Sequence, residues 1–140
     1  TRVNERLGVI PFNLMGISHY LVAAVLGFEF AIGVRNGCFC AHPYLLKIMR
    51  VPDPRVQAVR KEIISGDRRE VPGLVRISFG LYNSQQDIDA CVEALRRISR
   101  GDYAGIYQQN HASGHYFPQG ARFDFSAYSP LRHTIEKESK

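Results

Sequence analysis

Two cysteines, one arginine and one histidine cluster in the stretch Ile32-Gly33-Val34-Arg35-Asn36-Gly37-Cys38-Phe39-Cys40-Ala41-His42-Pro43. The stretch reads as a short strand over 32–35, a tight glycine turn and a cysteine-bearing loop ahead of a helix. That setting favours a reactive thiol, because a nearby cation and a helix N-terminus both stabilise thiolate. Cys38 and Cys40 are two apart, so strand-like geometry points them to opposite faces, and packing is the default for Cys38. A metal site built on the pair would take His42 as a third ligand and finds no fourth, so no metal is expected. Arg76 is the other residue that stands out. It lies inside the apolar run Leu74-Val75-Arg76-Ile77-Ser78-Phe79-Gly80. A buried guanidinium must be paired or its desolvation is costly, so Arg76 needs a partner, for which an internal carboxylate is the ordinary choice. The remaining candidates read as structural. Cys91 falls on a helical apolar stripe, a place for a core thiol. His19 sits beside a helix cap. His111 and His115 have the spacing of a helical metal pair, but Ser113 and Gly114 between them favour a loop.

These residues need elements to position them. Gly8 to Leu14 alternates like a strand, and Pro11, which has no N–H, puts it at a sheet edge. Ser18 is a helix N-cap, and residues 19–31 form a helix that is apolar almost all round apart from His19 and Glu29. Such a helix is covered on more than one side, which in this chain points to a missing partner surface. Pro43 suits the first turn of a helix over 43–49. Residues 50–73, with Pro52, Pro54, Gly66 and Pro72, read as a polar connector holding one or two helical turns over 54–64. Leu74 to Gly80 is the second clear strand. Ser84 with Asp87 opens a helix whose apolar period runs through Ile88, Cys91, Val92, Leu95 and Ile98, and Arg96, Arg97 and Arg100 complement its C-terminal dipole. Asn83 precedes it as a helix-entry residue. Gly37 allows a positive φ in the turn, and Gly33 is expected to permit close packing under the sheet. After Gly101 the periodicity fades. Tyr103, Tyr107, Tyr116, Phe117, Phe123, Phe125 and Tyr128 suggest an aromatic, polar extension laid over another surface. The division expected is a domain over 1–100 and an extension over 101–140. The fold class expected is α+β: a short, mainly antiparallel sheet with helices packed on one face.

Composition narrows the classes. The chain has 140 residues with a net charge of +5, and its hydrophobic and charged fractions of 45% and 22% are those of a globular domain. The basic residues are dispersed rather than striped among aromatics, so nucleic acid is not expected as a partner. Residues 20–34 come nearest to a membrane span, and Glu29 interrupts them, so no membrane partner is expected either. Three cysteines, an odd number, argue against a disulfide framework and suit the reducing cytoplasm. No signal-peptide pattern is visible. The chain opens on Thr1-Arg2-Val3-Asn4-Glu5-Arg6 without a Met, which suggests a piece of a longer protein.

Three ordered stretches together resemble the C-terminal small domain of class V aminotransferases, the fold-type I group that uses pyridoxal phosphate and includes the cysteine desulfurases. They are Ile10-Pro11-Phe12-Asn13 with the helix after it; Gly33-Val34-Arg35-Asn36-Gly37-Cys38-Phe39-Cys40; and Val75-Arg76-Ile77-Ser78-Phe79-Gly80-Leu81-Tyr82-Asn83 followed by Asp87-Ile88-Asp89. The resemblance runs from about residue 6 to residue 98. It implies that Cys40, five residues after Arg35, matches the catalytic cysteine of the desulfurases and would carry sulfur as a persulfide. It implies that Arg76 holds the substrate α-carboxylate and that Arg35 is the second substrate-binding cation. The Cys-Phe-Cys form and the long connector before Arg76 look closest to the molybdenum cofactor sulfurase branch. The cofactor lysine of the family lies in a large domain, and Lys47, Lys61, Lys137 and Lys140 do not stand in its motif. The chain alone is therefore not expected to bind pyridoxal phosphate or to turn over substrate. The parent implied is a pyridoxal-phosphate enzyme acting on a small amino acid, homodimeric, with its large domain as the nearest partner. Two other readings stay open: the small domain of an aminotransferase, lyase or epimerase in which Cys40 is idle, and a binding module without chemistry.

Overall fold

The computed structural model describes residues 8–121. Phe123, Phe125, Tyr128, Lys137 and Lys140, and the opening run Thr1–Arg6, lie outside the described residues. Within them the order is β1 (Val9–Phe12), α1 (His19–Phe30), β2 (Arg35–Gly37), α2 (His42–Ile48), α3 (Asp53–Ile64), β3 (Leu74–Ser78), α4 (Gln85–Ser99), β4 (Tyr107–Gln109) and β5 (Tyr116–Pro118). The three longer-range strands form an antiparallel sheet in the order β1-β3-β2, and β4 and β5 form a separate hairpin. This is the small α+β architecture. Pro11 is on the edge strand β1, where its missing donor costs nothing.

The core lies on one face of the sheet. Val75, the second residue of β3, is fully buried against Val22, Val25 and Leu26 of α1 and Ala94 and Ile98 of α4. Phe12, opposite Val75 on β1, packs against the same cluster. Helix α4 begins with a complete capping box: Asp87 N–H donates to the Ser84 hydroxyl, and the Asp87 carboxylate accepts from Ser84 N–H at 2.7 Å. Its buried stripe is Cys91, Ala94 and Ile98, and burial pushes the Cys91 thiol pKa up, as befits a core thiol.

Several expectations are corrected. The strand expected over 32–35 forms instead over Arg35–Gly37. Helix α1 ends at Ala31 in the left-handed region with φ 55°, and the Ala31 and Ile32 N–H groups both return to the Leu26 carbonyl. Ile32 and Val34 are thereby spent on packing against the core, and pairing starts only at Arg35. The connector holds three helical turns rather than one or two, because Pro54 sits in the first turn of α3, where a missing N–H is tolerated, and Val56, Val59 and Ile63 share a face. That face and Pro43 and Leu46 of α2 line an apolar groove of about 430 Å³. Gly33 is not a packing glycine, since a Cβ there would meet nothing within 4 Å. Gly73 is one: a Cβ there would lie 2.5 Å from His19 Nε2 and 2.8 Å from Gly37 Cα.

Part of the α1 surface left over from the sheet and α4 is covered by the chain's own later residues, while Gly27 and Phe28 stay exposed. Glu29 accepts from Ala104 N–H and Gly105 N–H, both at 2.9 Å, and from the Tyr107 hydroxyl at 3.0 Å. Tyr103 and Tyr107 pack against the core cluster, and the Phe28 and Tyr107 rings lie 6.4 Å apart. Burial works to raise the Glu29 pKa, but the two backbone donors and the hydroxyl outweigh it, and the carboxyl is held below its usual value. His111 and His115 lie in the loop joining β4 and β5, as their Gly-Ser spacing suggests. Among the described residues no helix is long and apolar enough to cross a membrane.

His19 is a structural tie. Its Nε2–H donates to the Val71 carbonyl at 2.9 Å, and its Nδ1 faces the Asn36 amide nitrogen at 3.4 Å, a network that assigns the proton to Nε2. One ring thus joins α1, β2 and the segment entering β3. Burial lowers its pKa, opposed by the Val71 bond and aided by the nearby His115. A lowered folded pKa means the folded state prefers neutral imidazole. The stability this contributes is present above the usual value of about 6.5 and is lost as pH falls from there through the folded pKa. We expect the melting temperature to decline on acidification from pH 7.5 to 5, and His19→Gln to flatten that decline. An unchanged pH slope in the variant would assign the acid sensitivity elsewhere.

Candidate functional site

The register of the sheet brings the two sequence-nominated arginines together. Arg35 on β2 pairs directly with Arg76 on β3, and Pro11 of β1 flanks Arg76 on its other side. Residues opposite one another in a sheet share a face. The neighbouring row, Phe12, Val75 and Asn36, points to the helices, since Val75 is in the core and Asn36 bonds to His19 of α1. The arginine row therefore points the other way, onto the sheet face that α1 and α4 leave uncovered.

Two like charges opposite each other in a sheet repel, so this pairing is unfavourable until an anion lies between them. No carboxylate supplies that anion: among the described residues the ion pairs use Arg55, Arg69, Arg96 and Arg97, not Arg35 or Arg76. Arg76 is half-buried, and its Nε is buried with no hydrogen-bond partner. A buried donor without an acceptor costs about 1–3 kcal/mol, more when charged. What Arg76 does have is an aromatic neighbour. Its guanidinium carbon lies 5.2 Å from the centroid of the Phe39 ring. Arg35 is exposed.

Phe39 belongs to the turn that carries the nucleophile candidate. Ala41 N–H donates to the Cys38 carbonyl at 2.8 Å and closes a turn around Phe39 and Cys40. Both central residues have positive φ, 52° and 61°. That is the pattern of a type I′ turn, normally built from Gly, Asn or Asp. Here a Phe and a Cys occupy it, at a cost of order 1–3 kcal/mol each. Backbone strain of this kind persists only where surrounding contacts hold it, and it gathers at functional sites. The Cys40 side chain is exposed, while Cys38 is half-buried. Gly37, with φ 106°, makes the bend that leads from β2 into the turn.

The site is thus an open sheet face bearing two arginines, roofed in part by Phe39, with an exposed thiol in the next residue. It can bind a small carboxylate bidentately and present a sulfur nucleophile beside it. Phe39 was not nominated by the sequence; an aromatic between two cysteines carries no signal until the fold lays it over Arg76. The described lysines Lys47 and Lys61 are both exposed, on α2 and α3, and line none of the three cavities described. They do not fit a covalent hold on an aldehyde cofactor.

The family model described as aminotransferase class-V matches residues 1–91, a span that holds Arg35, Cys40 and Arg76. The chain belongs to the class V aminotransferase family. Relatives of this class V chain include a protein named probable cysteine desulfurase from Treponema pallidum (strain Nichols), 27% identical over 99 residues, covering 71% of this chain and 19% of the relative. A cysteine desulfurase from Yersinia pseudotuberculosis serotype O:1b (strain IP 31758) is 33% identical over 97 residues, covering 69% of this chain and 18% of that protein. A third, also named cysteine desulfurase, from Yersinia pestis (strain Pestoides F), is 31% identical over 96 residues, with 69% and 18% covered. The matched part of this class V chain thus spans under a fifth of the length of these relatives. No solved structure matches it.

Proposed function

We propose that this chain is the substrate-closing small domain of a pyridoxal-phosphate-dependent enzyme of the cysteine desulfurase or sulfurase kind. Arg76, with Arg35 beside it, holds the α-carboxylate of the amino-acid substrate. Cys40 takes the sulfur: its thiolate forms an S–S bond to the substrate sulfur as the C–S bond breaks, and the electron pair of that bond stays with the carbon, which is then protonated. Pyridoxal phosphate, which Lys47 and Lys61 do not fit, would be held by the rest of the parent enzyme and would supply the electron sink for the amino acid. The observation that carries this reading is the arginine pair, facing outward without a carboxylate partner among the described residues, next to an exposed thiol on a strained turn. The names of the relatives point the same way. The free thiols and the absence of a disulfide among the described residues suit a reducing cytoplasm, and the parent is read as a homodimer.

The other amino-acid chemistries of the family remain the second reading, because an arginine pair serves any α-carboxylate. There Cys40 would be idle. Persulfide mapping separates the two. L-cysteine is added to the full-length enzyme, and Cys38, Cys40 and Cys91 are examined by mass spectrometry. One added sulfur on Cys40 is the expected result. No persulfide on any of them, with a different amino acid converted, would favour the second reading.

A further inference from the structure

We propose that Phe39 is a positioning residue that couples the carboxylate grip of Arg76 to the placement of Cys40. The inference rests on the roles given above to Arg76 and Cys40. A guanidinium stacked on a ring uses its flat face, which leaves its in-plane N–H groups free for a bidentate carboxylate. In Arg76 the guanidinium carbon lies over the Phe39 ring, 5.2 Å from its centroid, and the Nε donor is buried but unclaimed. The ring contact therefore uses none of the fork's hydrogen-bond donors.

The coupling comes from the backbone. Phe39 and Cys40 are adjacent and both lie at positive φ, 52° and 61°, a conformation neither residue prefers. The turn is closed by one hydrogen bond, from Ala41 N–H to the Cys38 carbonyl. Contacts made by its side chains must help to hold it, and the contact of the Phe39 ring with Arg76 is available for that. A carboxylate bound to Arg76 neutralises the charge that attracts the ring. Its arrival loosens Phe39, and because the two residues share a peptide, Cys40 is released from its held position at the moment the substrate is seated. The coupling is reciprocal for binding: a turn held elsewhere changes the affinity of Arg76 for carboxylates by the same factor.

The test uses the full-length enzyme with Cys38→Ser, so that one thiol in the turn reacts. The probe is propionate, a carboxylate with neither amine nor sulfur, at constant ionic strength. Cys40 is alkylated with iodoacetamide, a neutral reagent, and the rate is followed by peptide mass spectrometry. Saturating propionate is expected to raise the rate roughly threefold to tenfold in the native turn and in Phe39→Tyr, which keeps the ring, and to leave it unchanged in Phe39→Leu. In parallel, Phe39→Leu removes the contact that the carboxylate must weaken, so the KM for L-cysteine is expected to fall roughly threefold to tenfold, and Phe39→Tyr to return it to the native value. A propionate response that persists in Phe39→Leu, a KM that rises in Phe39→Leu, or a Phe39→Tyr variant that behaves as Phe39→Leu overturns the coupling. Arg76→Lys separates this failure from a failure of the underlying reading. If Arg76→Lys abolishes the response and raises KM while Phe39→Leu changes neither, the coupling alone falls. If Arg76→Lys also does nothing, the carboxylate role of Arg76 falls and takes the coupling with it.

Discussion

Under the proposed function, replacing Cys40 by Ser in the full-length enzyme is expected to abolish sulfide release from L-cysteine, by on the order of a thousandfold or more, the scale on which removal of a covalent nucleophile acts. The loss is chemical rather than structural. Cys40 is exposed, and exposed substitutions away from special contacts usually change stability by no more than about 0.5 kcal/mol. A hydroxyl in place of the thiol fits the same turn, but at neutral pH it is neither ionised nor a sulfur acceptor. Arg76 and Arg35 are untouched, so L-cysteine is expected still to bind and the cofactor absorbance to respond to it. That combination, a spectral response without sulfide, is the signature of a missing acceptor. Undiminished sulfide release from Cys40→Ser would remove the persulfide role. Cys38→Ser, two residues away and half-buried, is the matched control and keeps most of the activity.

Arg76→Lys is expected to have the second large effect, on KM. Lysine keeps the charge but loses the planar fork, so one of two parallel N–H···O bonds disappears and the stacking surface against Phe39 goes with it. A hydrogen bond to a charged group contributes about 1.5–3 kcal/mol, which corresponds to a rise of roughly tenfold to a hundredfold in KM for L-cysteine. Arg35→Lys is expected to cost less, since Arg35 is exposed and its pairing is screened by water. Steady-state kinetics on both variants gives the comparison. Equal changes of less than twofold in both would mean that the carboxylate is held by other groups.

The elements read from sequence were those whose signals are local. Ser84 and Asp87 announce α4 within four residues, and Ser18 announces α1, because a cap satisfies backbone donors of the next turn. The alternation around Val75 identifies β3, and Pro11 correctly places β1 on an edge. Signals that depend on tertiary contact were not legible. The start of β2 was displaced by three residues because Ile32 and Val34 are β-formers that pack before they pair. The length of α3 was underestimated because Pro52 and Pro54 look like breakers when they in fact open a helix. At the site, the types Arg35, Cys40 and Arg76 could be singled out in the sequence. Their geometry could not: the register that sets Arg35 against Arg76 joins residues 41 apart, and the ring of Phe39 finds Arg76 across a similar gap.

Glu29 carries a consequence for how the chain unfolds. Its carboxylate gathers Ala104, Gly105 and Tyr107 from 75 to 78 residues away. Those backbone amides can exchange with solvent only if their bond to α1 opens, so their protection should track the opening of that helix rather than of a surface loop. Cooperativity in this protein then crosses the point where the sequence pattern fades. A chain stopped at Arg100 would lose these three donors to Glu29 and the Tyr107 ring beside Phe28, on the helix that holds the core. A segment of this chain that keeps the β4–β5 hairpin is accordingly expected to be more stable than one stopped at Arg100, so a graft of this domain onto a new partner is expected to benefit from carrying that hairpin with it.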